Sequence, residues 1–158
     1  MVSNCNIGLA VPSEANRIAL LSRDIIEHGL HWAWTPKRVQ ASMRDPSTNV
    51  VVARELSEVV GFALLNYADD YAHLFLLGVA ANRRRQGVAT ALMSWLEETL
   101  EVAGIYRICA EVREENSAAR ASYLALGFEE FALTQRYYQG IENAVHVAKE
   151  LCPSLTQR

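Results

Sequence analysis

The residues with the clearest capacity for chemistry form a glycine-bearing turn between a strand-like run and a helix-like run. The turn spans Ala80 to Thr90 and carries a basic triplet, Arg83 to Arg85, followed by Gly87 and Ala89. Backbone N–H groups at a helix start lack partners within the helix and lie at the positive end of its dipole. Gly87 has no side chain to hold a ligand away from the backbone. We therefore expect a small phosphorylated ligand to bind here.

Two common phosphate loops are excluded for this turn. It contains neither G-x-x-x-x-G-K-[ST] nor G-x-G-x-x-G, so neither a nucleotide triphosphatase nor a Rossmann dinucleotide site is supported. The structural alternative is an ordinary helix start, in which the small residues serve packing and the arginines are solvated.

A second pair of polar residues lies downstream on a predicted helix. Asn116 and Tyr123 are seven residues apart, which is two helical turns, so both project from one face. Asparagine is a preferred helix N-cap, and this is the structural alternative for Asn116. A tyrosine hydroxyl with a pKa near 10 stays protonated at neutral pH, as a proton donor requires. A tyrosine that only packs the helix is the alternative for Tyr123.

These residues belong to a longer pattern that resembles the GNAT superfamily of N-acetyltransferases. The run Arg84-Arg85-Gln86-Gly87-Val88-Ala89 is similar to its R/Q-x-x-G-x-G/A signature. Downstream, the segment from Glu111 to Asn116 and the run from Ala119 to Phe128 look like the family's E-V-x-x-x-N...A...Y-x-x-x-G-F block. The resemblance covers roughly Val50 to the C-terminus. The C-terminal two thirds look closest to the bacterial ribosomal-protein alanine N-acetyltransferases.

The resemblance implies acetyl-CoA as co-substrate and no metal. In such enzymes the pyrophosphate lies on the glycine turn, and the preceding strand end pairs with the pantetheine amides. Asn116 either caps its helix or turns its amide toward the pantetheine, and the two roles are compatible through different atoms. The implied cofactor-binding residues are Leu77, Gly78, Val79, Arg84, Arg85, Gln86, Gly87, Val88, Ala89, Thr90 and Asn116.

The resemblance also implies roles for two catalytic residues. Tyr123 matches the tyrosine that donates a proton to the coenzyme A thiolate, and Glu111 matches the glutamate that acts as general base. Other candidates for the base are Glu114, Glu115, His73 and His146, and we interpret the two strand histidines as mainly structural. The motif contains no cysteine, so we expect direct transfer and no covalent acetyl-enzyme.

The acceptor side is less specified by the sequence. Arg136-Tyr137-Tyr138 resembles an R-x-Y-Y segment of enzymes that acetylate peptide N-termini, so Tyr137 and Tyr138 are candidate substrate-binding residues. Trp32 and Trp34 are candidates for the opposite wall of the acceptor site, with anchoring in the core as the alternative. The N-terminal third has no close match to the peptide-acetylating pattern.

Three functions therefore stay open at the level of sequence. The leading one is acetylation of a primary amine, including a protein or peptide N-terminus. The second is acetylation of a small amine such as a polyamine, an amino acid or an antibiotic. Glu27, Asp69 and Asp70 are candidates to attract such a cation, with solvated turns as the equal alternative. The third is a non-catalytic acyl-CoA-binding module, which Tyr123 and Glu111 argue against because a binder needs neither.

The elements that must position these residues follow from hydrophobic periodicity, caps and turn residues. The spacing predicts strands at Asn6–Val11, Asn49–Arg54, Val59–Tyr67, Tyr71–Val79, Ile105–Val112, Phe128–Thr134 and Ile141–Leu151. Predicted helices run from an N-cap at Ser13 to Gly29, from Thr35 to Arg44, from near Gln86 to Ala103, and from Asn116 to Leu126.

This element order, β-α-α-β-β-β-α-β-α-β-β, predicts a mixed α/β fold. The three strands between the second and third helices should form an antiparallel meander, and the strand-helix-strand crossover that follows should be right-handed. The resemblance implies a twisted mixed sheet that splits into a V-shaped cofactor cleft at its centre.

Composition limits the remaining possibilities. With 158 residues, 51% hydrophobic and 21% charged, we expect a single domain over residues 1–158. A net charge of -3 disfavours a nucleic-acid surface. Cys5, Cys109 and Cys152 lack metal-ligand spacing and are interpreted as reduced thiols. No signal peptide or membrane span is predicted, so we expect a cytoplasmic location. We expect the protein to be a monomer or a homodimer.

Overall fold

The structure, a computed structural model, describes residues 5–151 and divides into two compact units. The first unit comprises the chain up to Asn66 together with Phe75–Leu96, and the second comprises Tyr67–Leu74 and the chain from Glu97 onward. Cys5 and Cys109 are free thiols, whereas Cys152 lies outside the described residues. Within residues 5–151, no helix combines the length and apolar character needed to cross a membrane.

Three strands of the first unit are antiparallel neighbours. Strand β1 is Asn6–Leu9, β2 is Thr48–Glu55 and β3 is Glu58–Tyr67, and both β1 and β3 pair antiparallel with β2. Two of them, β2 and β3, belong to the predicted meander. The β2–β3 hairpin turns through Leu56 and Ser57, which have φ of 51° and 68°. Two consecutive positive φ values are the geometry of a type I′ turn, whose twist matches that of the strands.

Two helices pack on these strands of the first unit. Helix α1, Ala15–Leu21, follows a 3₁₀ turn at Pro12–Glu14 and continues into a π-helical segment at Ser22–Ile26. Helix α2, Pro36–Arg44, has the predicted cap, because the Thr35 hydroxyl accepts from the Arg38 N–H at 3.4 Å. Fully buried Ile18, Val39 and Phe62 belong to the core between helices and strands.

The predicted N-cap at Ser13 is wrong. Ser13 lies inside the 3₁₀ turn. The side chain that bonds a backbone donor at this turn is that of Glu14, which accepts from the Val11 N–H at 2.9 Å. The same carboxylate binds Arg54 Nε at 2.6 Å and Nη2 at 2.7 Å. A contact across 40 positions of sequence therefore sets where the helix begins.

The second unit is built on β5, Arg107–Arg113, with β7, Glu142–Glu150, antiparallel beside it and β6, Glu129–Tyr138, antiparallel to β7. The start of β4, Ala72–Val79, pairs parallel with β5. Helix α4, Ser117–Ala125, connects β5 to β6.

Helix α3, Val88–Ala103, is the crossover between the parallel strands β4 and β5. It ends at Gly104, where φ is 75°, as the glycine predicted. Over the described residues the strand order is β1-β2-β3-β4-β5-β7-β6. The mixed α/β fold and the predicted order of helices and strands are confirmed.

Several predicted boundaries change. Strand β1 ends at Leu9 instead of Val11, and α3 begins at Val88 instead of near Gln86, because Arg85 and Gly87 have φ of 63° and 79° and cannot continue a right-handed helix. Strand β6 extends to Tyr138 instead of ending at Thr134. Tyr137 and Tyr138 therefore lie in a strand, past a register irregularity that begins at Thr134.

Candidate active site

The glycine turn opens a long helix and leaves its first N–H groups available. The first helical hydrogen bond runs from the Ala91 N–H to the Gly87 carbonyl at 2.9 Å, so the N–H groups of residues 88–90 precede the intrahelical ladder. Arg84, Arg85, Gln86, Gly87 and Thr90 are exposed. Left-handed φ values at Arg85 and Gly87 produce alternating backbone handedness of the kind that forms anion-binding concavities.

Two glycines on the neighbouring strands β3 and β4 lie where a side chain would not fit. A Cβ on Gly61 of β3 would lie 2.7 Å from Val88 Cγ1 and 3.3 Å from Leu92 Cδ1. A Cβ on Gly78 of β4 would lie 2.8 Å from the Phe62 ring. Helix α3 therefore begins directly against the bare backbone of Gly61. Gly78 instead leaves room for the Phe62 ring, so it has a packing role whether or not it also borders a ligand. Leu77 and Val79, on either side of it, are half-buried.

The basic triplet divides into one structural and two exposed arginines. Arg83 donates to the Glu55 carboxylate from Nε at 2.7 Å and from Nη2 at 3.1 Å. Arg84 and Arg85 are exposed, and neither forms an ion pair with any residue between 5 and 151. Within the triplet, Arg84 and Arg85 are therefore the two residues whose charges can attract an anion.

Glu111 lies at the centre of a polar cluster in the second unit. Along β5 the buried positions Ile108, Ala110 and Val112 alternate with half-buried ones, so Glu111 projects from the opposite face. Its Oε1 lies 2.6 Å from His73 Nε2 and accepts from the Tyr137 hydroxyl at 3.3 Å. Its Oε2 lies 3.6 Å from His146 Nδ1. His146 is also the direct cross-strand partner of Glu111.

The Glu111 charge acts on the tyrosines around it. Burial, and then the Glu111 carboxylate, raise the pKa values of Tyr123, Tyr137 and Tyr138 above the ordinary tyrosine range. Both causes disfavour the phenolate, since burial removes solvation and the carboxylate adds a like charge. These tyrosines are therefore held as neutral proton donors.

Tyr123 combines a buried ring with an available hydroxyl. The ring is 9% exposed and packs edge-on against Phe128, with centroids 5.1 Å apart. No hydrogen bond joins its hydroxyl to another described residue, and no buried side-chain oxygen or nitrogen among those residues lacks a partner. The hydroxyl must therefore reach the molecular surface, where a ligand can accept its proton.

Asn116 caps α4 with one atom and leaves another available. Its Oδ1 accepts from the Ala119 N–H at 3.1 Å, which confirms the predicted cap. Within residues 5–151 its Nδ2 group makes no hydrogen bond. The amide nitrogen can therefore contact a ligand while the oxygen caps the helix.

A buried carboxylate organises the loop that carries the two tryptophans. Glu27, 7% exposed, accepts from the Ser22 hydroxyl at 2.8 Å and from the N–H groups of Ala33 at 2.7 Å and Trp34 at 3.2 Å. The suggestion that Glu27 attracts a cationic substrate is wrong, because its oxygens are occupied by the protein's own donors. Trp32 donates to the Ala19 carbonyl at 3.2 Å.

Replacing Glu27 with glutamine should loosen this loop. The amide oxygen can still accept from the two backbone N–H groups that Oε1 binds, but the NH₂ group replaces the oxygen that accepts from the Ser22 hydroxyl, and the charge that strengthens all three bonds is lost. We therefore expect a loss of about 1–2 kcal/mol in the free energy of unfolding. Urea denaturation measures the loss. The control Glu58→Gln alters a carboxylate whose side chain is 68% exposed, and should change stability by less than about 0.5 kcal/mol. Equal effects of the two substitutions would contradict the organising role.

A family comparison decides the class of the protein. The model of the acetyltransferase (GNAT) family matches residues 18–128. The chain belongs to this family. It is a GNAT N-acetyltransferase, as the turn and the downstream block predicted.

Relatives of this GNAT enzyme extend the match. The [ribosomal protein bS18]-alanine N-acetyltransferase of Escherichia coli (strain K12) is 32% identical over 127 residues, which is 78% of this chain and 85% of that protein. The crystal structure of the ribosomal-protein-S18-alanine N-acetyltransferase from Escherichia coli superimposes with a TM-score of 0.79 at 25% identity, covering 95% and 96% of the two chains.

A more distant N-acetyltransferase structure shares the fold. The PaiA N-acetyltransferase from Thermoplasma acidophilum, solved in complex with coenzyme A, has a TM-score of 0.78 at 15% identity and covers 94% of this chain and 99% of its own.

Within the second unit the structure brings together one group of the predicted site residues of this GNAT enzyme. Glu111, Tyr123, Tyr137 and Tyr138 gather in the second unit, together with Asn116 on the same helix as Tyr123. The glycine turn belongs to the first unit. So do Trp32 and Trp34, which pack against that unit's core, with Trp34 6.0 Å from Phe75 and 3.7 Å from the Arg38 guanidinium.

Sequence reasoning missed how the two strand histidines contact Glu111. His73 and His146 were alternatives to Glu111, whereas in the structure they flank it. The alternation of side chains along a strand is the signal that could have shown this, because every second residue of a strand lies on the same face of the sheet. Glu114, another candidate for the base, accepts from Asn143 Nδ2 at 3.0 Å.

No cluster of three or more possible metal ligands occurs in the described part of the chain.

Proposed function

We propose that this enzyme transfers an acetyl group from acetyl-CoA directly to a primary amine, with a protein N-terminus as the acceptor. The observation that carries the proposal is the polar cluster around Glu111 together with the available hydroxyl of Tyr123 in the same unit. The carboxylate helps to raise the pKa of the tyrosine, and the hydroxyl makes no hydrogen bond within residues 5–151. A proton acceptor and a proton donor thus influence each other in one compact unit.

This pair matches the proton requirements of acetyl transfer. The amine nitrogen attacks the thioester carbonyl and loses a proton, and the departing thiolate must gain one. Glu111 accepts the amine proton, and the Tyr123 hydroxyl supplies the proton for sulfur. Cys109, on the same face of β5 as Glu111, is a free thiol, but direct transfer needs no covalent intermediate.

The turn at the start of α3 provides the coenzyme A contacts. The pyrophosphate is held by the N–H groups of residues 88–90 and by Arg84 and Arg85, both exposed. The backbone of Leu77, Gly78 and Val79 lines the pantetheine, and the Asn116 amide nitrogen contacts it. The exposed turn and its left-handed φ values support this assignment.

Acceptor choice rests on a relative and on the surroundings of Glu111. The Escherichia coli relative is named for the alanine of ribosomal protein bS18. Tyr137, 45% exposed, lies beside the base and can hydrogen-bond an acceptor backbone. Tyr138 packs edge-on against it at 5.0 Å. Trp32 and Trp34, which pack against the core of the first unit, are proposed as further acceptor contacts. A small amine is the second candidate, favoured by exposed Asp69 and Asp70 in the unit that holds Glu111.

A matched set of acceptors tests the proposal. The enzyme is incubated with acetyl-CoA and a peptide with an N-terminal alanine, the same peptide with a formylated N-terminus, free alanine or spermidine. Thiol release and product mass are recorded. Transfer to the free peptide alone supports the proposal, and transfer to spermidine but not to peptide supports the second candidate. The absence of thiol release with every acceptor would overturn both.

Gly87→Ala should weaken acetyl-CoA binding about tenfold. Its φ of 79° strains any L-residue by roughly 1 kcal/mol, and the added methyl group meets the bound pyrophosphate. The control is Gly104→Ala at the other end of α3, where φ is 75° and no heavy atom lies within 4 Å of a Cβ. Titration calorimetry and thermal unfolding separate affinity from strain. Equal affinities in the two variants would remove the turn from the coenzyme A site.

A further inference from the structure

The two oxygens of Glu111 are in different environments. Oε1 contacts His73 Nε2 at 2.6 Å and the Tyr137 hydroxyl at 3.3 Å. Oε2 has His146 Nδ1 at 3.6 Å, which is beyond hydrogen-bond range. One oxygen is therefore held by the protein, and the other keeps lone pairs for a ligand.

The pairing of β4 with β5 positions His73 beside Glu111. In the parallel β4–β5 ladder His73 lies opposite Cys109, which shares a face of β5 with Glu111. Both partners are on strands, so their separation does not depend on a loop. Their side chains are 24% and 14% exposed, and limited solvent access strengthens such a hydrogen bond.

The direction of this bond follows from the chemistry of the partners. An ionised carboxylate only accepts hydrogen bonds. His73 Nε2 must therefore carry the proton that lies between it and Oε1 whenever Glu111 acts as a base. The Tyr137 hydroxyl, which donates to the same oxygen, reinforces that arrangement.

We propose that His73 is a positioning residue for acetyl transfer, whose Nε2–H bond fixes Oε1 of Glu111 so that Oε2 receives the acceptor amine's proton. The inference rests on the proposed function and adds a residue to it. As the N–C bond to the acetyl group forms and the C–S bond breaks, one amine proton moves to Oε2 and the Tyr123 proton moves to sulfur. The proton on Glu111 then returns to the Tyr123 phenolate through solvent, which restores both groups.

Two substitutions separate positioning from packing. His73→Leu removes the donor, and we expect kcat to fall on the order of ten- to a hundredfold with little change in KM for acetyl-CoA. His73→Gln restores an N–H donor near the Nε2 position, and we expect kcat within about threefold of the parent enzyme. The control is Arg107→Gln. Arg107 lies on the same face of β5 as Glu111, and its substitution breaks an exposed ion pair with Glu150 but should leave kcat unchanged.

The double variant decides whether His73 acts through Glu111. In a Glu111→Gln background, His73→Leu should cause no further loss of kcat, because coupled residues are not additive. Equal losses in His73→Leu and His73→Gln, or a full further loss in the double variant, would overturn the inference. If Glu111→Gln itself leaves kcat unchanged, the proposed base fails. If Glu111→Gln is impaired while His73→Leu is not, only the role of His73 fails.

Discussion

Tyr123→Phe is expected to lower kcat by about 10²-fold or more, the usual range for loss of a general acid, with acetyl-CoA affinity unchanged. The variant removes the hydroxyl and keeps the ring, so the edge-on packing against Phe128 is preserved. Stopped-flow thiol release at saturating acetyl-CoA measures kcat, and calorimetry measures affinity.

The pH dependence of the parent enzyme provides a second check on Tyr123. Because burial and Glu111 raise its pKa, the donor should remain protonated past the ordinary tyrosine pKa of about 10. The rate should therefore not decline through Tyr123 ionisation below that pH. Tyr71→Phe is the matched control, since Tyr71 is 40% exposed in a turn. A lowered melting temperature with normal kcat in Tyr123→Phe would instead indicate a packing residue.

Glu111→Gln is expected to reduce kcat by about 10²-fold or more, since the amide cannot accept the amine proton. It should also lower the pKa values of Tyr123, Tyr137 and Tyr138, because the negative charge that opposes phenolate formation is removed. Burial remains, so the pKa of each buried tyrosine should stay above its ordinary value. Tyrosinate absorbance during an alkaline titration measures these shifts.

The control for Glu111 lies on the neighbouring strand. Glu150→Gln removes a carboxylate whose side chain is 67% exposed, and should alter neither kcat nor the tyrosine titration. Unchanged kcat in Glu111→Gln, with an altered tyrosine titration, would assign Glu111 an electrostatic effect without a catalytic one.

Local signals in the sequence predicted much of the fold. Thr35 and Asn116 both cap the helices that follow them, because each needs only a backbone donor three residues later. Gly104 and Gly127 end helices through positive φ values of 75° and 97°. Features that depend on one residue and its near neighbours are visible without a structure.

Features that depend on distant contacts were not predictable in this way. The burial of Glu27 depends on backbone donors that reach it only once the loop has folded. The strand conformation of Tyr137 and Tyr138 depends on pairing with β7. The bond between His73 and Glu111 joins residues 38 positions apart, across the crossover helix. The roles of the site residues themselves stay predictions until the variants are measured.

The tight packing around Gly61 and Gly78 has a consequence for mutational scanning. A larger residue at Gly61 would collide with Val88 and displace the start of α3, and one at Gly78 would collide with the Phe62 ring in the core. In an activity-based scan both glycines should therefore score as intolerant as residues that touch coenzyme A. Only paired measurements of folding stability and ligand affinity would distinguish a packing role from a contact with the ligand.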